Sequence, residues 1–169
     1  EPNPEWAECA RPYYRDLQLS TIEDATLPDN TYRLVVCADV LEHVPDPAGA
    51  IEVLKKATTD DAIFLISLPN VAHLAVRLML LFGRFPHMDR GILDRTHLHF
   101  YTLDTARDML EGAGLKVVRA TPTGIPVDEL FPNLKGKPIF QVLMKSQHAM
   151  LRIAPRLFGF QWVFILKKA

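Results

Sequence analysis

Cysteine is nearly absent from this 169-residue chain. Cys9 and Cys37 are the only two, and such a pair supports neither a disulfide framework nor thiolate metal-site spacing. Cys37 falls inside an apolar run and reads as inert packing, so a reducing, cytoplasmic location is expected. Charge of neither sign dominates. The net charge of −1 leaves no basic footprint, and no nucleic-acid partner is expected. No run reaches the roughly 18 consecutive apolar residues of a membrane-spanning helix. The opening Glu1-Pro2-Asn3-Pro4 has neither the basic region nor the apolar run of a secretory leader. Repeats and low-complexity tracts are also missing. What is present is 49% hydrophobic composition, enough for a real core and for one domain over residues 1–169.

The most informative stretch is Tyr32 to Pro47, Y-R-L-V-V-C-A-D-V-L-E-H-V-P-D-P. Leu34, Val35 and Val36 form a short β-branched run suited to a buried central parallel strand. Asp46 is a good helix N-cap, and Pro47 sits well at the first helical position. Asp39, Glu42 and His43 therefore lie at the C-terminal end of a strand, where open α/β sheets bind ligands.

Along the rest of the chain, Glu1 to Arg11 reads as a helix with Trp6, Ala7 and Ala10 on one face. Leu17 to Ile22 is a strand candidate. Ala50, Ile51, Val53, Leu54 and Ala57 have helical spacing. Asp60-Asp61 reads as a turn before a buried strand over 62–68. Asn70 is the expected cap of an apolar helix over 71–82, with His73 and Arg77 four residues apart. Residues 83–101 form a long loop rich in polar groups, and loops of that length tend to be functional. Thr102 caps a helix closed by Gly112 and Gly114. A strand over 115–121, a helix over 138–153 and a strand over 160–166 complete the chain. Such alternation predicts an α/β layered fold with a mostly parallel sheet and an antiparallel terminal strand.

The V-V-C-A-D-V-L-E-H-V-P-D-P stretch, the strand ending S-L-P-N-V, and the G-I-L-D-R-T-H-L-H-F-Y-T loop before a helix ending G-A-G-L carry a resemblance. Together they resemble the class I methyltransferases that use S-adenosylmethionine, in the small-molecule branch of types 11, 12 and 23. The resemblance covers about Glu1 to Lys168 and implies a Rossmann-like fold with S-adenosylmethionine as cofactor. In that family a glycine-rich turn after the first strand holds the methionine part of the cofactor, and this chain has no G-x-G-x-G. The opening E-P-N-P-E resembles the segment straight after the family's second strand. The expectation is therefore a fragment lacking its N-terminal strands, with a hole in the middle of the sheet and weak or no cofactor binding.

The resemblance implies site residues one by one. Glu1 would bond the ribose hydroxyls, and Thr21-Ile22 would lie at the adenine, with threonine in place of the usual aspartate. Ala38 and Asp39 would pass near the methionine portion, while Leu41, Glu42 and His43 would border the methyl-transfer centre. His43 is either a general base, with an imidazole that titrates near pH 6.5, or a brace that fixes its loop together with Glu42. Asp39 either neutralises the cofactor's amino group or caps a turn. His97 and His99, with Asp94 and His73, have metal-type spacing. They are assigned instead to acceptor handling, with His73 and His97 as further catalytic candidates and no metal expected. Asn70, Arg77, Asp94, Arg95 and His99 are the candidate acceptor-binding residues, the arginines suiting an anionic group or else pairing with Asp94 or Asp89.

The function that follows is methyl transfer to a small-molecule acceptor, to oxygen in preference to nitrogen. Analogy within the family points to a sugar or lipid-linked cell-surface intermediate. The alternative is a non-catalytic methyltransferase-like remnant or partner-binding scaffold. Peripheral membrane contact through the apolar helices, and homodimer pairing through open strand edges, are compatible with the pattern.

Overall fold

The computed structural model describes residues 1–169. Helix α1 (Pro4–Ala10) starts where Asn3 Oδ1 accepts the backbone N–H groups of Glu5 and Trp6. Of its expected inward face only Ala7 is buried, and Trp6 lies largely in solvent. Strand β1 (Tyr32–Ala38), a 3-10 turn (Leu41–His43), α2 (Pro47–Ala57) and β2 (Thr58–Pro69) then form one βαβ unit. They are followed by α3 (Leu74–Leu81), a long loop, α4 (Leu103–Gly112) and β3 (Leu115–Thr123). Two short helices, α5 (Val127–Leu130) and α7 (Pro155–Phe158), flank α6 (Pro138–Ile153), and β4 (Gln161–Lys168) ends the chain.

The four strands form one sheet in the order β1-β2-β4-β3. β1 and β2 are parallel, and the terminal β4 runs antiparallel to both β2 and β3. Helices α2 and α4 cover one face. Ile51 and Ala50 from α2, and Leu110 and Ala106 from α4, meet Phe64, Ile66, Leu68, Phe164 and Leu166 from the sheet in the main core. α2 begins as expected, with Asp46 Oδ1 accepting the Gly49 N–H at 3.0 Å. A Cβ on Gly49 would lie 2.4 Å from Asp46 Oδ2, so a side chain there would have to turn the capping carboxylate aside. Thr102 and Thr105 form a reciprocal capping box on α4, which satisfies two orphan amides.

The structure departs from the sequence reading at several places. Leu17–Ile22 is not a strand. Gln18 closes this segment into a loop, donating to the Thr26 carbonyl at 2.7 Å and accepting the Thr26 N–H at 2.9 Å. The sheet therefore has an open end instead of a central hole. β1 is that end, and it is half-exposed instead of buried. Val35 and Cys37 face the core, while Leu34 and Val36 are 59% and 57% exposed on the side no helix covers. Asp60-Asp61 is not a turn but part of β2. Arg33 from β1 donates to Asp61 at 2.7 Å and Thr59 donates to its other oxygen, so the acids extend the strand on its solvated face. α3 starts three residues later than expected because His73, not Asn70, is its cap, with Nδ1 accepting the Ala75 N–H at 3.2 Å.

Candidate active site

The C-terminal ends of β1 and β2 and the first residue of β4 converge on Asp39. Its backbone turns into the left-handed region (φ 53°), which an aspartate tolerates better than most residues. Its N–H donates to Ser67 Oγ at 3.1 Å, and Ser67 Oγ–H donates back to Asp39 Oδ1 at 3.0 Å. Gln161 Nε2 donates to Asp39 Oδ2 at 2.7 Å. Three strands thus fix one carboxylate at the mouth of the sheet, and its remaining lone pairs leave it able to accept one more donor.

Past Asp39 the 3-10 turn carries Leu41, Glu42 and His43. Leu41 is fully buried within the main core. Glu42 is also fully buried, and neither carboxylate oxygen has a hydrogen-bond partner. Burial pushes its carboxyl up to about 7; its own backbone N–H pulls it back in part, and the nearby Asp39 charge adds to the rise. The same desolvation, with Glu42's charge second, raises the Cys37 thiol to about 11 and the Tyr101 hydroxyl to about 12. Cys37 is accordingly inert packing, as its place in an apolar run implied.

The long loop delivers His97 to this carboxylate. The N–H groups of Leu98 and His99 both donate to the Glu42 carbonyl, at 2.8 and 3.2 Å, which pins the loop to the 3-10 turn. The loop's own shape comes from a compact 88–95 segment in which Met88 and Leu93, and Arg95 and Met88, share backbone bonds. Ile92 and Leu93 are buried there against Val76 of α3. His97 Nε2 lies 4.0 Å from Glu42 Oε1, and the His43 and His97 rings meet edge-on with centroids 4.7 Å apart. Burial holds the His97 imidazole below its ordinary value, against the opposing pull of its bond to the Ile92 carbonyl. His43 Nδ1 faces the Thr96 carbonyl and hydroxyl, both at 3.2 Å, and its ring is exposed.

The other candidates separate from this cluster or serve the fold. Asp94 is a turn-former, accepting from the Thr96 N–H at 2.8 Å and its hydroxyl at 2.6 Å; those bonds hold its carboxyl below the usual range. His99 Nε2 approaches the Val44 and Pro45 carbonyls. Asn70 is buried, donates to the Gly159 and Arg156 carbonyls and accepts the Ala72 N–H, so its polar atoms staple β2 to the α7–β4 corner. His73 is buried with a lowered pKa and packs edge-on to Phe160. It also lines an apolar groove of about 230 Å³ with Leu78, Ile125, Met150 and Phe158. Arg77 donates to the Ala72 carbonyl, and Arg95 pairs with Asp89. Thr21 donates to Asp24 at 3.0 Å, Ile22 packs against the core, Ala38 ends β1 in solvent, and Glu1 is exposed with Oε1 on the Asn3 N–H.

Sequence reasoning missed Ser67, Thr96 and Gln161, the groups that hold Asp39 and His43 in place. Ser67 was findable as the lone polar residue of the apolar run over 62–68. Thr96 and Gln161 act across separations of 53 and 122 residues, for which the linear pattern carries no signal.

Known proteins match this fold. The family model Methyltransf_23, a methyltransferase domain, matches residues 1–120. No curated protein sequence matches the chain. A methyltransferase from Thermotoga maritima, described as a possible histamine N-methyltransferase, superposes with a TM-score of 0.64 at 14% identity, over 100% of this chain and 72% of that one. A methyltransferase from Archaeoglobus fulgidus superposes with a TM-score of 0.61 at 17% identity, over 99% and 74% of the two chains. For one from Mesorhizobium loti the values are 0.58 and 14%, over 99% and 78%. At these identities the structures testify to the fold. The family match spans well over half of the sequence, and it includes the Asp39 turn and the Glu42–His97 cluster. The chain belongs to the Methyltransf_23 family of methyltransferase domains.

Proposed function

We propose that this domain transfers a methyl group from S-adenosylmethionine to the oxygen of a small-molecule acceptor, at the cleft bounded by the Asp39 turn and the Glu42–His43–His97 cluster. The observation that carries the reading is the fully buried, unpartnered carboxylate of Glu42 beside two imidazoles at the C-terminal end of a parallel strand pair. A partner-binding scaffold has no use for a group so costly to desolvate.

The residues present fit one side of the cofactor pocket. Asp39, held by Ser67 and Gln161 with lone pairs to spare, would take the cofactor's ammonium, and Ala38 would lie along its methionine chain. Thr21-Ile22 and Glu1 are the corresponding candidates for the adenine and the ribose. The glycine-rich turn of the family does not occur in this chain. β1 is an end strand with its outer edge unpaired, which supports completion of the pocket by a further parallel strand that carries such a turn. When bound, the cofactor supplies an electrophilic sulfonium methyl. The chain's own part is to hold the acceptor oxygen at the Glu42–His43–His97 cluster. An apolar acceptor, or an acceptor at a membrane surface, is supported by the C-terminal end of α3, where Leu81 and the capping Phe82 are each 76% exposed close in sequence to Arg84.

The test is an amide-resolved NMR titration of the chain with S-adenosylhomocysteine. The expected shifts cluster at residues 21–22 and 38–42 even when affinity is weak. Shifts confined to α6, or none at saturating ligand, would refute the placement.

A further inference from the structure

The Glu42–His43–His97 cluster has more order than acceptor binding alone requires. One ligand-type atom from each residue falls within 4.8 Å of the others. The tautomers can be read from the partners. His97 Nδ1 lies 3.1 Å from the Ile92 carbonyl oxygen, which only accepts, so Nδ1 carries the proton and Nε2 keeps its lone pair. Thr96 gives its hydroxyl proton to Asp94 at 2.6 Å, so toward His43 Nδ1 both its hydroxyl and carbonyl oxygens accept. His43 Nδ1 therefore also carries a proton, and its Nε2 is a free lone pair. Backbone and hydroxyl acceptors behind Nδ1 are the arrangement that orients metal-ligating histidines.

Two lone-pair atoms, His97 Nε2 and Glu42 Oε1, then face each other across 4.0 Å. That is too long for a hydrogen bond. It is close to two consecutive metal–ligand bonds of about 2.0–2.2 Å, and a small closure of the side chains gives a bent N–metal–O angle. Glu42 has no cationic side chain against it and no hydrogen-bond partner. His43 sits at the exposed rim, so the side of the cluster toward solvent is open.

We propose that Glu42, His43 and His97 Nε2 form a binding site for one divalent first-row transition ion of the zinc, manganese or iron type. Nitrogen and carboxylate donors of this kind suit those ions. The remaining coordination positions face solvent and are available to water or to an acceptor oxygen. The role in acceptor binding rests on the function proposed above; the binding of the ion does not.

The test uses the full chain, stripped with a chelator and titrated with Co²⁺, whose visible d–d absorption reports nitrogen and oxygen ligation directly. Calorimetry with Zn²⁺ and Mn²⁺ runs in parallel. The expected result is one ion per chain. Affinity should fall by about tenfold or more in His43→Ala, an exposed change that leaves the core intact, and in Glu42→Gln, which preserves shape. His148→Ala on α6 should bind as the parent does. Circular dichroism establishes that each variant is folded. Absence of d–d absorption, binding unaffected by both cluster variants, or equal loss in His148→Ala overturns the site. The cofactor titration with S-adenosylhomocysteine is independent of it, so failure of one reading is distinguishable from failure of the other.

Discussion

Replacing Glu42 with glutamine should make the protein more stable, and only above the pH at which an ordinary glutamate ionises. In the folded chain the Glu42 carboxyl is raised from 4.5 to about 7, chiefly by burial. Unfolding releases it to the ordinary value. The folded state therefore holds the proton more tightly than the unfolded state, and the stability this contributes is fully present below pH 4.5. It is lost progressively as pH rises to about 7. At about 1.4 kcal/mol per pH unit, the full loss is ~3 kcal/mol. Glutamine mimics the protonated acid and cannot ionise. Glu42→Gln should match the parent at pH 4.5 and exceed it by ~3 kcal/mol at pH 8. Urea melts of both proteins at three pH values, in chelator, give the difference directly, and titrations common to both cancel. A difference that stays flat across pH would mean that Glu42 is not buried as a lone carboxylate. A parent that is the more stable at pH 8 would mean that a donor holds the ionised form. Repeating the pair with a bound divalent ion should shrink or reverse the gap, since the ion binds the carboxylate and not the amide.

The buried staple gives a different signature. Asn70→Ala leaves two carbonyls and one amide without their partner and should cost ~2–4 kcal/mol in thermal or urea unfolding; a loss of activity with unchanged stability would return Asn70 to the acceptor site. The open edge should govern association. Sedimentation is expected to detect self-association of the chain, and Leu34→Lys, which places a charge on the exposed face of β1, should lower it; a monomeric parent would refute the expectation, and unchanged association would locate the contact elsewhere.

Much of the fold was legible in the sequence because it rests on local rules. Asp46-Pro47 and Thr102 start α2 and α4, and their physics lies within four residues of chain. The apolar runs of β2 and β4, and the antiparallel terminal strand, follow from patterning that the core then uses. The errors have equally specific causes. The β-branched run of β1 signals a strand but not its neighbours, so a strand expected at the centre stands at an open edge. Leu17–Ile22 has strand composition, but Gln18 closes it into a loop across eight residues.

The candidate site divides in the same way. By itself the sequence determined which chemistry was on offer: an acidic turn after a strand, an adjacent Glu42-His43 pair, and a histidine-rich loop. Those are properties of residue type and of short spacing. It did not decide which histidine meets which carboxylate. The chain separates Glu42 from His97 by more than fifty positions, and tertiary bonds bring the loop home: the two amides donated to the Glu42 carbonyl, His43 against Thr96 and His99 against the Val44 and Pro45 carbonyls. Nor did it show that Glu42 is wholly buried without a partner, or that Asn70, Arg77 and Arg95 are taken up by the fold. Desolvation and hydrogen-bond satisfaction are properties of the packed neighbourhood, and that neighbourhood exists only once the sheet and the long loop have closed on one another.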